Sequence, residues 1–258
     1  MHLPAGKKVY FISDAHLGLP PENKSREREM LLVEWLDLVQ KDARVIFLMG
    51  DIFDYWFEYR KVVPRGFIRF LGKLAELADK GIEINYFTGN HDVWIFDYLP
   101  SEIGMKVFKN PIIREINGKY FYLAHGDGLG PGGLNYKMLK KIFHSRFMQW
   151  LYAFIHPNVA TAFAHRWSTH SRLAKGAFTP YLGDENEQLI RHARNVLEKE
   201  KIDFFIFGHR HIPLDLPLND STRIIYTGDW FVNFTYVVYD GEEGLKLVHY
   251  FDKDKIKC

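Results

Sequence analysis

The sequence has a single cysteine and no long apolar run. That cysteine is Cys258, so no disulfide can form within the chain. No stretch of about 18 residues is both apolar and uncharged, which argues against a membrane-spanning helix. Residues 1–8 also lack the apolar core and the small-residue cleavage site of a signal peptide. Together these absences favour a cytoplasmic protein.

Acidic residues are missing from one long segment. Between Asp127 and Asp184 lie 56 residues without Asp or Glu, and seven of them are Lys or Arg. The remainder of the chain has 27 basic and 32 acidic residues, a net charge of −5, although the whole chain carries +2. A positive segment in an otherwise acidic chain indicates an anionic partner or surface.

The order of apolar patterns predicts an α/β fold. Buried strands are predicted at 9–13, 45–49 and 84–87, and amphipathic helices at 25–40 and 66–80. Strands that alternate with helices indicate crossover connections and a largely parallel sheet.

The second half returns to strands after a helical interval. Asn117-Gly118 predicts a hairpin turn between short strands in 105–125. Further elements are a helix at 184–200 and strands at 203–207, 223–227, 234–239 and 245–251. The simplest architecture is one domain over 1–258, with a helical cap inserted at 128–183.

Polar side chains follow five of the predicted strands, four times beside glycine. The five segments are Asp14-Ala15-His16, Gly50-Asp51-Ile52-Phe53-Asp54, Gly89-Asn90-His91-Asp92, His125-Gly126-Asp127 and Gly208-His209-Arg210-His211. The carboxyl ends of strands are where α/β proteins build their sites. Any one of these segments alone is weak evidence, because a lone His or Asp there is usually structural. Five together indicate a common site.

The residue types in these segments suit divalent metal ions. Carboxylate, amide and imidazole donors together favour Mn²⁺, Fe²⁺ or Zn²⁺ over the oxygen-only sites of Ca²⁺ and Mg²⁺. Two such ions can clamp a phosphoryl group and activate water. Asp51 is the candidate to bridge the two ions.

The order of these motifs resembles the calcineurin-like metallophosphoesterase superfamily, with all five motifs present between residues 14 and 211. The resemblance implies two facing mixed β-sheets flanked by helices in four layers. It implies two metal ions, for which Mn²⁺ is expected and Fe²⁺ or Zn²⁺ are alternatives. One ion would be held by Asp14, His16, Asp51 and His211, and the other by Asp51, Asn90, His125 and His209.

Within that superfamily the chain is most similar to the UDP-2,3-diacylglucosamine hydrolases of lipid A biosynthesis. The similarity rests on Phe11–Gly18, Gly50–Trp56, His125–Leu129, Gly208–His211 and the helical insertion. It implies cleavage at the α-phosphorus of a nucleotide-activated lipid, giving UMP and lipid X. His91 stands where many members have Arg, which resembles the divergent form found in Bacteroidetes.

Two residues beside the metal ligands are assigned catalytic roles on this basis. His91 would bind a phosphate oxygen or protonate the leaving oxygen, and Asp92 would orient His91. Asn90 and His91 would also contact the substrate. Asp54 and Asp127 are interpreted as supporting residues rather than ligands.

The cap is interpreted as the lipid-binding part. Apolar residues recur at helical spacing through 134–155, with Lys137, Lys140, Lys141 and Arg146 between them. This pattern suits a helix lying on the inner face of the cytoplasmic membrane, although a helix packed on the core would show the same spacing. By a loose alignment with the lipid A family, the sugar and phosphate would contact His170, Ser171, Arg172 and Lys175.

Two alternative functions stay open. The basic segment could bind nucleic acid in a nuclease or other phosphodiesterase of the same superfamily, but its many aromatic and aliphatic residues favour acyl chains. A non-catalytic scaffold with this fold would be expected to lack some of the ligands. All seven are present here, so an enzyme is favoured. The apolar character of the basic segment is the reason that no nucleic acid partner is expected.

Overall fold

The structure is a computed structural model that describes residues 1–131, 134–164, 166 and 180–251. The strands are β1 (Lys8–Ile12), β2 (Ala43–Leu48), β3 (Glu83–Phe87), β4 (Lys106–Phe108), β5 (Ile112–Ile116), β6 (Lys119–Ala124), β7 (Phe204–Phe207), β8 (Pro213–Pro217), β9 (Arg223–Thr227), β10 (Thr235–Asp240) and β11 (Gly244–His249). The labelled helices are α1 (Glu22–Val39), α2 (Ile68–Asp79), α3 (Tyr98–Ile103), α4 (Leu134–His144), α5 (Arg146–Tyr152) and α6 (Gln188–Leu197). Residues 157–164 are helical as well.

The strands form two mixed sheets. The first has the order β11-β10-β1-β2-β3-β4 and the second the order β5-β6-β7-β9-β8. Strands β1 to β4 run parallel, as do β6, β7 and β9. The edge strands β5 and β8 pair antiparallel, and so do β10 and β11. The predicted two-sheet α/β fold is confirmed.

Alternation along the strands builds the layers, because successive side chains point to opposite faces. In β1, Val9 and Phe11 face the second sheet, where Phe11 lies 6.2 Å from the Phe121 ring. Tyr10 and Ile12 face the other way, into the cluster under α1 and α2. The helix α6 covers the outer face of the second sheet. The result is helix, sheet, sheet and helix in four layers.

Most element predictions are confirmed, with small shifts in their bounds. The hairpin turn lies at Asn117 and Gly118, both at positive φ as a type I′ turn requires. The sequence interpretation missed β8 and α3. Proline stands at both ends of β8, which is an edge strand, where proline is tolerated.

The described part of the predicted cap segment is mostly helical but does not form one continuous helix. Helix α4 ends at His144, and α5 begins after Ser145 and ends at Tyr152. The chain then re-enters the second sheet, since β7 pairs with β6, which precedes the cap. Among the described residues, no helix combines the length and the apolar character needed to cross a membrane.

Candidate metal centre

The predicted metal ligands converge from both sheets. Asp14 and His16 follow β1, Asp51 follows β2, and Asn90 follows β3 of the first sheet. His125 follows β6, and His209 and His211 follow β7 of the second sheet. The carboxyl ends of these strands meet along one edge of the molecule, so residues nearly 200 positions apart come into contact there.

The backbone at these positions is strained. Five of the seven predicted ligands have a left-handed backbone, with φ between 45° and 67°: Asp14, His16, Asp51, His209 and His211. Residues other than glycine rarely adopt this conformation, which costs on the order of 1–3 kcal/mol each. Such strain clusters at functional sites. Its concentration here marks the site independently of the side-chain chemistry.

The first group of donors is Asp14, His16 and His211. The His211 Nε2 atom lies 3.2 Å from Asp14 Oδ1 and 3.4 Å from His16 Nε2. Another contact, of 3.9 Å, joins His16 Nε2 to Asp14 Oδ1. One donor atom from each of the three residues lies within 4.8 Å of the others, close enough to hold one metal ion.

The second group is Asp51, His125 and His209, whose donor atoms also lie within 4.8 Å of one another. The Asp51 Oδ2 atom is 3.3 Å from His125 Nε2 and 4.0 Å from His16 Nε2, so it lies between the two groups. His125 Nδ1 lies 2.8 Å from the Met49 carbonyl, which accepts its proton. This contact fixes the tautomer and directs the Nε2 lone pair of neutral His125 into the site.

The electrostatics of the site require a compensating positive charge. His125 holds the pKa of the buried Asp51 carboxyl well below its usual range, although burial alone would raise it. Burial lowers the pKa of His125, but Asp51 and Asp14 outweigh it and raise that pKa to about 10. Burial and His125 together lower the pKa of His209 to about 4. The two carboxylates thus favour a positive charge at the centre of the site.

Over the residues that the structure describes, several donor atoms of the site are buried without a hydrogen-bond partner, as expected for ligands of a cation. Asp14 Oδ1, Asn90 Oδ1 and His125 Nε2 are buried and have no hydrogen-bond partner among the described residues. Buried polar atoms without a partner are costly, and such atoms call for an unseen ligand. Two carboxylates, an amide oxygen and four imidazoles form a donor set for transition metals. The residues present fit a pair of divalent ions.

His91 lies at the rim of the site. Its backbone N–H donates to Asp51 Oδ1 at 2.8 Å, and its ring packs edge-on against the His16 ring at 4.7 Å. One nitrogen, Nδ1, is 3.0 Å from the Asp54 carbonyl and 3.6 Å from Asp54 Oδ1. The side chain is 20% exposed, so a substrate can reach it.

The prediction that Asp92 orients His91 is wrong. The Asp92 carboxylate accepts hydrogen bonds from Gly89 N at 2.7 Å, from Ile52 N at 2.9 Å and from the Tyr86 hydroxyl. It therefore ties the loop after β3 to the loop after β2. Burial and the charge of Asp51 raise the pKa of Asp92 to about 6. The residue whose oxygens contact Nδ1 of the His91 ring is Asp54.

Sequence reasoning missed two residues that support the loop after β1. Arg28, buried on α1, donates to the carbonyl oxygens of His16 and Leu19, both at 3.1 Å. Ser25 Oγ accepts from Gly18 N at 2.7 Å. The signal was available, because Ser25 and Arg28 continue the buried face of Leu32 and Trp35 at helical spacing. Polar residues on an apolar face need partners there.

The cap is joined to the site through Asp127, two residues after His125. The Lys140 ammonium lies 2.7 Å from Asp127 Oδ2, and the Tyr136 hydroxyl donates to the same oxygen at 3.0 Å. Lys140 also donates to the Asp127 carbonyl at 3.0 Å. These bonds hold α4 against the loop that carries His125. The predicted substrate contacts His170, Ser171, Arg172 and Lys175 lie outside the described residues.

Comparison with known protein families agrees with this geometry. The model of the calcineurin-like phosphoesterase family matches residues 7–213, which include all seven predicted ligands. The chain belongs to the calcineurin-like phosphoesterase family. It is a metal-dependent phosphoester hydrolase, consistent with the cation-fitting donor atoms described above.

Curated relatives within the family share most of the chain. One is a UDP-2,3-diacylglucosamine hydrolase of Porphyromonas gingivalis, 42% identical over 247 residues, which cover 91% of this chain and 94% of that protein. Another protein with the same name, from Histophilus somni, is 25% identical over 229 residues, which cover 87% of this chain and 92% of that protein. Among solved structures, the phosphoesterase Yfce of E. coli is 14% identical with a TM-score of 0.41, covering 94% of this chain and 98% of that one. This structural similarity is too weak to inform the site.

Proposed function

We propose that this phosphoesterase hydrolyses UDP-2,3-diacylglucosamine to UMP and 2,3-diacylglucosamine 1-phosphate, lipid X. The 42% identity with the P. gingivalis protein of that name, over nearly the full length of both chains, carries the proposal. Water attacks the α-phosphorus, and the bond from that phosphorus to the bridging oxygen breaks. UMP retains the oxygen from water, and the lipid phosphate retains the bridging oxygen.

We assign the seven donors to two ions as the family resemblance implies. Asp14, His16, Asp51 and His211 would hold one ion, and Asp51, Asn90, His125 and His209 the other. Mn²⁺ is the proposed metal, and Fe²⁺ or Zn²⁺ would suit the same donors. When bound, the ions would supply Lewis-acid activation of water and would neutralise charge on the phosphoryl oxygens.

His91 is the proposed group for the leaving oxygen. The contact of its Nδ1 with the Asp54 carbonyl, at 3.0 Å, leaves Nε2 as the nitrogen that can meet the substrate. Its partial exposure supports this role. When protonated, His91 can donate a proton to the bridging oxygen as that oxygen leaves. His91 could therefore serve at a position where many relatives have Arg.

The cap is proposed to rest on the inner face of the cytoplasmic membrane. Phe147, Trp150 and Phe154 are 66%, 58% and 70% exposed, although a helix packed on the core would bury them. A second surface with no acidic residue, 59–75, adds exposed Ile68 and four exposed basic residues: Arg60, Lys61, Arg65 and Arg69. The two surfaces adjoin, because the Tyr59 hydroxyl donates to the Ile155 carbonyl at 3.2 Å. Aromatic and basic groups together suit an anionic lipid surface.

The substrate proposal is tested with purified enzyme, Mn²⁺ and a panel of UDP-sugars with and without acyl chains. UMP should appear only with the acylated sugar. Equal UMP release from UDP-N-acetylglucosamine, or faster cleavage of an oligonucleotide, would instead identify a nucleotide or nucleic-acid phosphodiesterase. Asp51→Asn is the matched inactive control, since both proposed ions share Asp51.

Membrane docking is tested by sedimentation with vesicles of phosphatidylcholine and phosphatidylglycerol. Phe154→Ser should weaken binding by removing an exposed aromatic ring, whereas Val232→Ser, an exposed apolar residue in the loop between β9 and β10, should not. Binding of both variants at the wild-type level would contradict docking through the cap.

A further inference from the structure

A slot lies between α5 and the first sheet, apart from the metal donors. Its volume is about 470 Å³, and none of the seven proposed ligands lines it. Lys109, just after β4, and Phe96 form one wall. A second wall is formed by His144 at the end of α4 and by Arg146 and Trp150 of α5. The slot is therefore made jointly by the cap and the core.

The slot has hydrogen-bond donors without a matching acceptor. Within the described part of the chain, neither Lys109 nor Arg146 forms an ion pair. The Lys109 ammonium instead lies 4.9 Å from the centre of the Phe96 ring. Burial lowers the pKa of Lys109, so this charge is partly removed from water. His144 Nε2 is buried and has no hydrogen-bond partner among the described residues.

The one carboxylate in the slot is already engaged. Glu58 Oε2 accepts from the backbone N–H groups of Phe96, Asp97 and Tyr98, at 2.7, 2.8 and 3.1 Å. Glu58 Oε1 accepts from the Trp56 indole at 3.1 Å. These four donors leave the Glu58 oxygens with little capacity to accept hydrogen bonds from Lys109 and Arg146, and its single negative charge faces two cations. The ligand that would satisfy the slot is an anion with several acceptor oxygens, such as a phosphate group.

The surroundings of the slot favour a phosphate attached to lipid. Trp150 lines the slot, and its ring also contacts the exposed rings of Phe147, at 5.9 Å, and Phe154, at 4.8 Å. A phosphate held beside Lys109 and Arg146 would thus lie at the foot of an exposed aromatic row. Aromatic rings beside a bound headgroup are the arrangement of proteins at a membrane interface.

We infer that the slot between α5 and the β4 edge binds the phosphate of an anionic phospholipid, and so fixes the cap on the membrane surface. This inference rests on the membrane docking proposed above and supplies its headgroup site. It does not depend on the identity of the hydrolysed substrate. It also assigns a role to Lys109, which lies outside every catalytic motif.

Vesicle sedimentation with and without phosphatidylglycerol tests the slot. Ala153→Trp fills it without changing charge, because Ala153 lies on its wall. Ala5→Trp, at another exposed alanine, is the matched control. Lys109→Gln removes one cation, and Lys199→Gln is its control at an exposed surface site. Both slot variants should bind phosphatidylglycerol vesicles about tenfold more weakly, as expected for losing a hydrogen bond to a charged group, and both controls should bind normally.

Four other results would overturn the inference. Slot variants that bind as tightly as the wild type would exclude the slot, while absence of binding by the wild type itself would refute membrane docking as a whole. Binding of inorganic phosphate is measured by calorimetric titration. If phosphate binds the wild type as tightly as vesicles do, and Ala153→Trp abolishes this binding, the ligand is a free anion. A raised KM for detergent-dispersed substrate in both slot variants would instead make the slot part of the substrate site. Unchanged hydrolysis of dispersed substrate, with UMP as the readout, is the expected result.

Discussion

Gly89→Ala should disable the metal centre although Gly89 coordinates nothing. A Cβ atom built on Gly89 would lie 2.1 Å from Asp51 Oδ1, 2.6 Å from Asp51 N and 2.7 Å from Asp51 Cγ. Asp51 would have to retreat by more than an ångström to restore ordinary contact. It cannot turn aside freely, because its Oδ1 also accepts from His91 N and its backbone carbonyl accepts from His16 N.

The size of the effect follows from what Asp51 does. Overpacking in a filled interior costs about 1–3 kcal/mol of stability, so the variant should still fold. Misplacing a catalytic group by about 1 Å can cost on the order of 100-fold in rate. Because Asp51 lies between both donor groups, we expect Gly89→Ala to bind fewer than two metal equivalents and to lose at least about 100-fold in kcat/KM.

The assay combines metal analysis of the purified protein with UMP release and a thermal melt. Gly72→Ala, inside α2 with open space around it, is the matched control and should keep full metal content and activity. If Gly89→Ala retained two equivalents of metal and wild-type kcat/KM, the loop after β3 would be looser than the structure indicates. The assignment of Asp51 as the shared ligand would then fail.

Three further predictions concern the proton donor, the metal and acid stability. His91→Ala should lower kcat by about 10²–10⁴-fold at unchanged metal content. The control His192→Ala should change neither kcat nor metal content, and loss of metal in His91→Ala would make His91 a ligand. A chelator should lower Tm, by the equivalent of about 2.7 kcal/mol for an ion present at 100 times its Kd, and an unchanged melting curve would contradict metal binding. Burial raises the pKa of Glu83, but Arg114 and neighbouring groups outweigh it and lower that pKa from 4.5 to about 2. This carboxylate therefore stabilises the fold above pH 4.5, by on the order of 1 kcal/mol because solvent screens its ion pairs, and the contribution is lost as pH falls toward 2. Denaturant titrations across that range should show a weaker pH dependence in Glu83→Gln than in the exposed control Glu115→Gln.

The centre of the fold could be predicted because its strands carry their own signals. Val9–Ile12 and Val45–Leu48 are continuous apolar runs that are each followed, after one further residue, by Asp14 or by Gly50-Asp51, and they are buried strands that end at the site. The β8 edge strand gave no such signal. Its residues Pro213 to Pro217 form a strand only because β9 provides an antiparallel partner. Such pairing depends on tertiary contacts rather than on local sequence.

Supporting residues were harder to predict than ligands, because sequence proximity is a poor guide to which side chains touch. Asp92 follows His91 directly, yet its carboxylate bonds to the loop after β2, and the more distant Asp54 contacts the His91 ring. The basic surface that follows Tyr59 was missed for a related reason. It is short, and its sequence alone does not indicate a function. Only the contact between Tyr59 and Ile155 shows that it lies beside the cap.

The strained backbone and the buried charges of the metal centre are two parts of one arrangement. Asp14 donates its N–H to the Gly50 carbonyl, and the His209 N–H reaches Asp14 Oδ2 at 2.9 Å, so each left-handed residue is held by a bond from another loop. Asn233 likewise donates to the His211 carbonyl at 2.9 Å. These bonds tie the loops to one another, so the ions would not have to supply the whole free energy of ordering them. What the ions would offset is the mutual repulsion and burial of the Asp14 and Asp51 carboxylates, which lie in one buried site. Metal binding at this centre should therefore chiefly compensate these two buried carboxylates, within a backbone held by bonds between the loops.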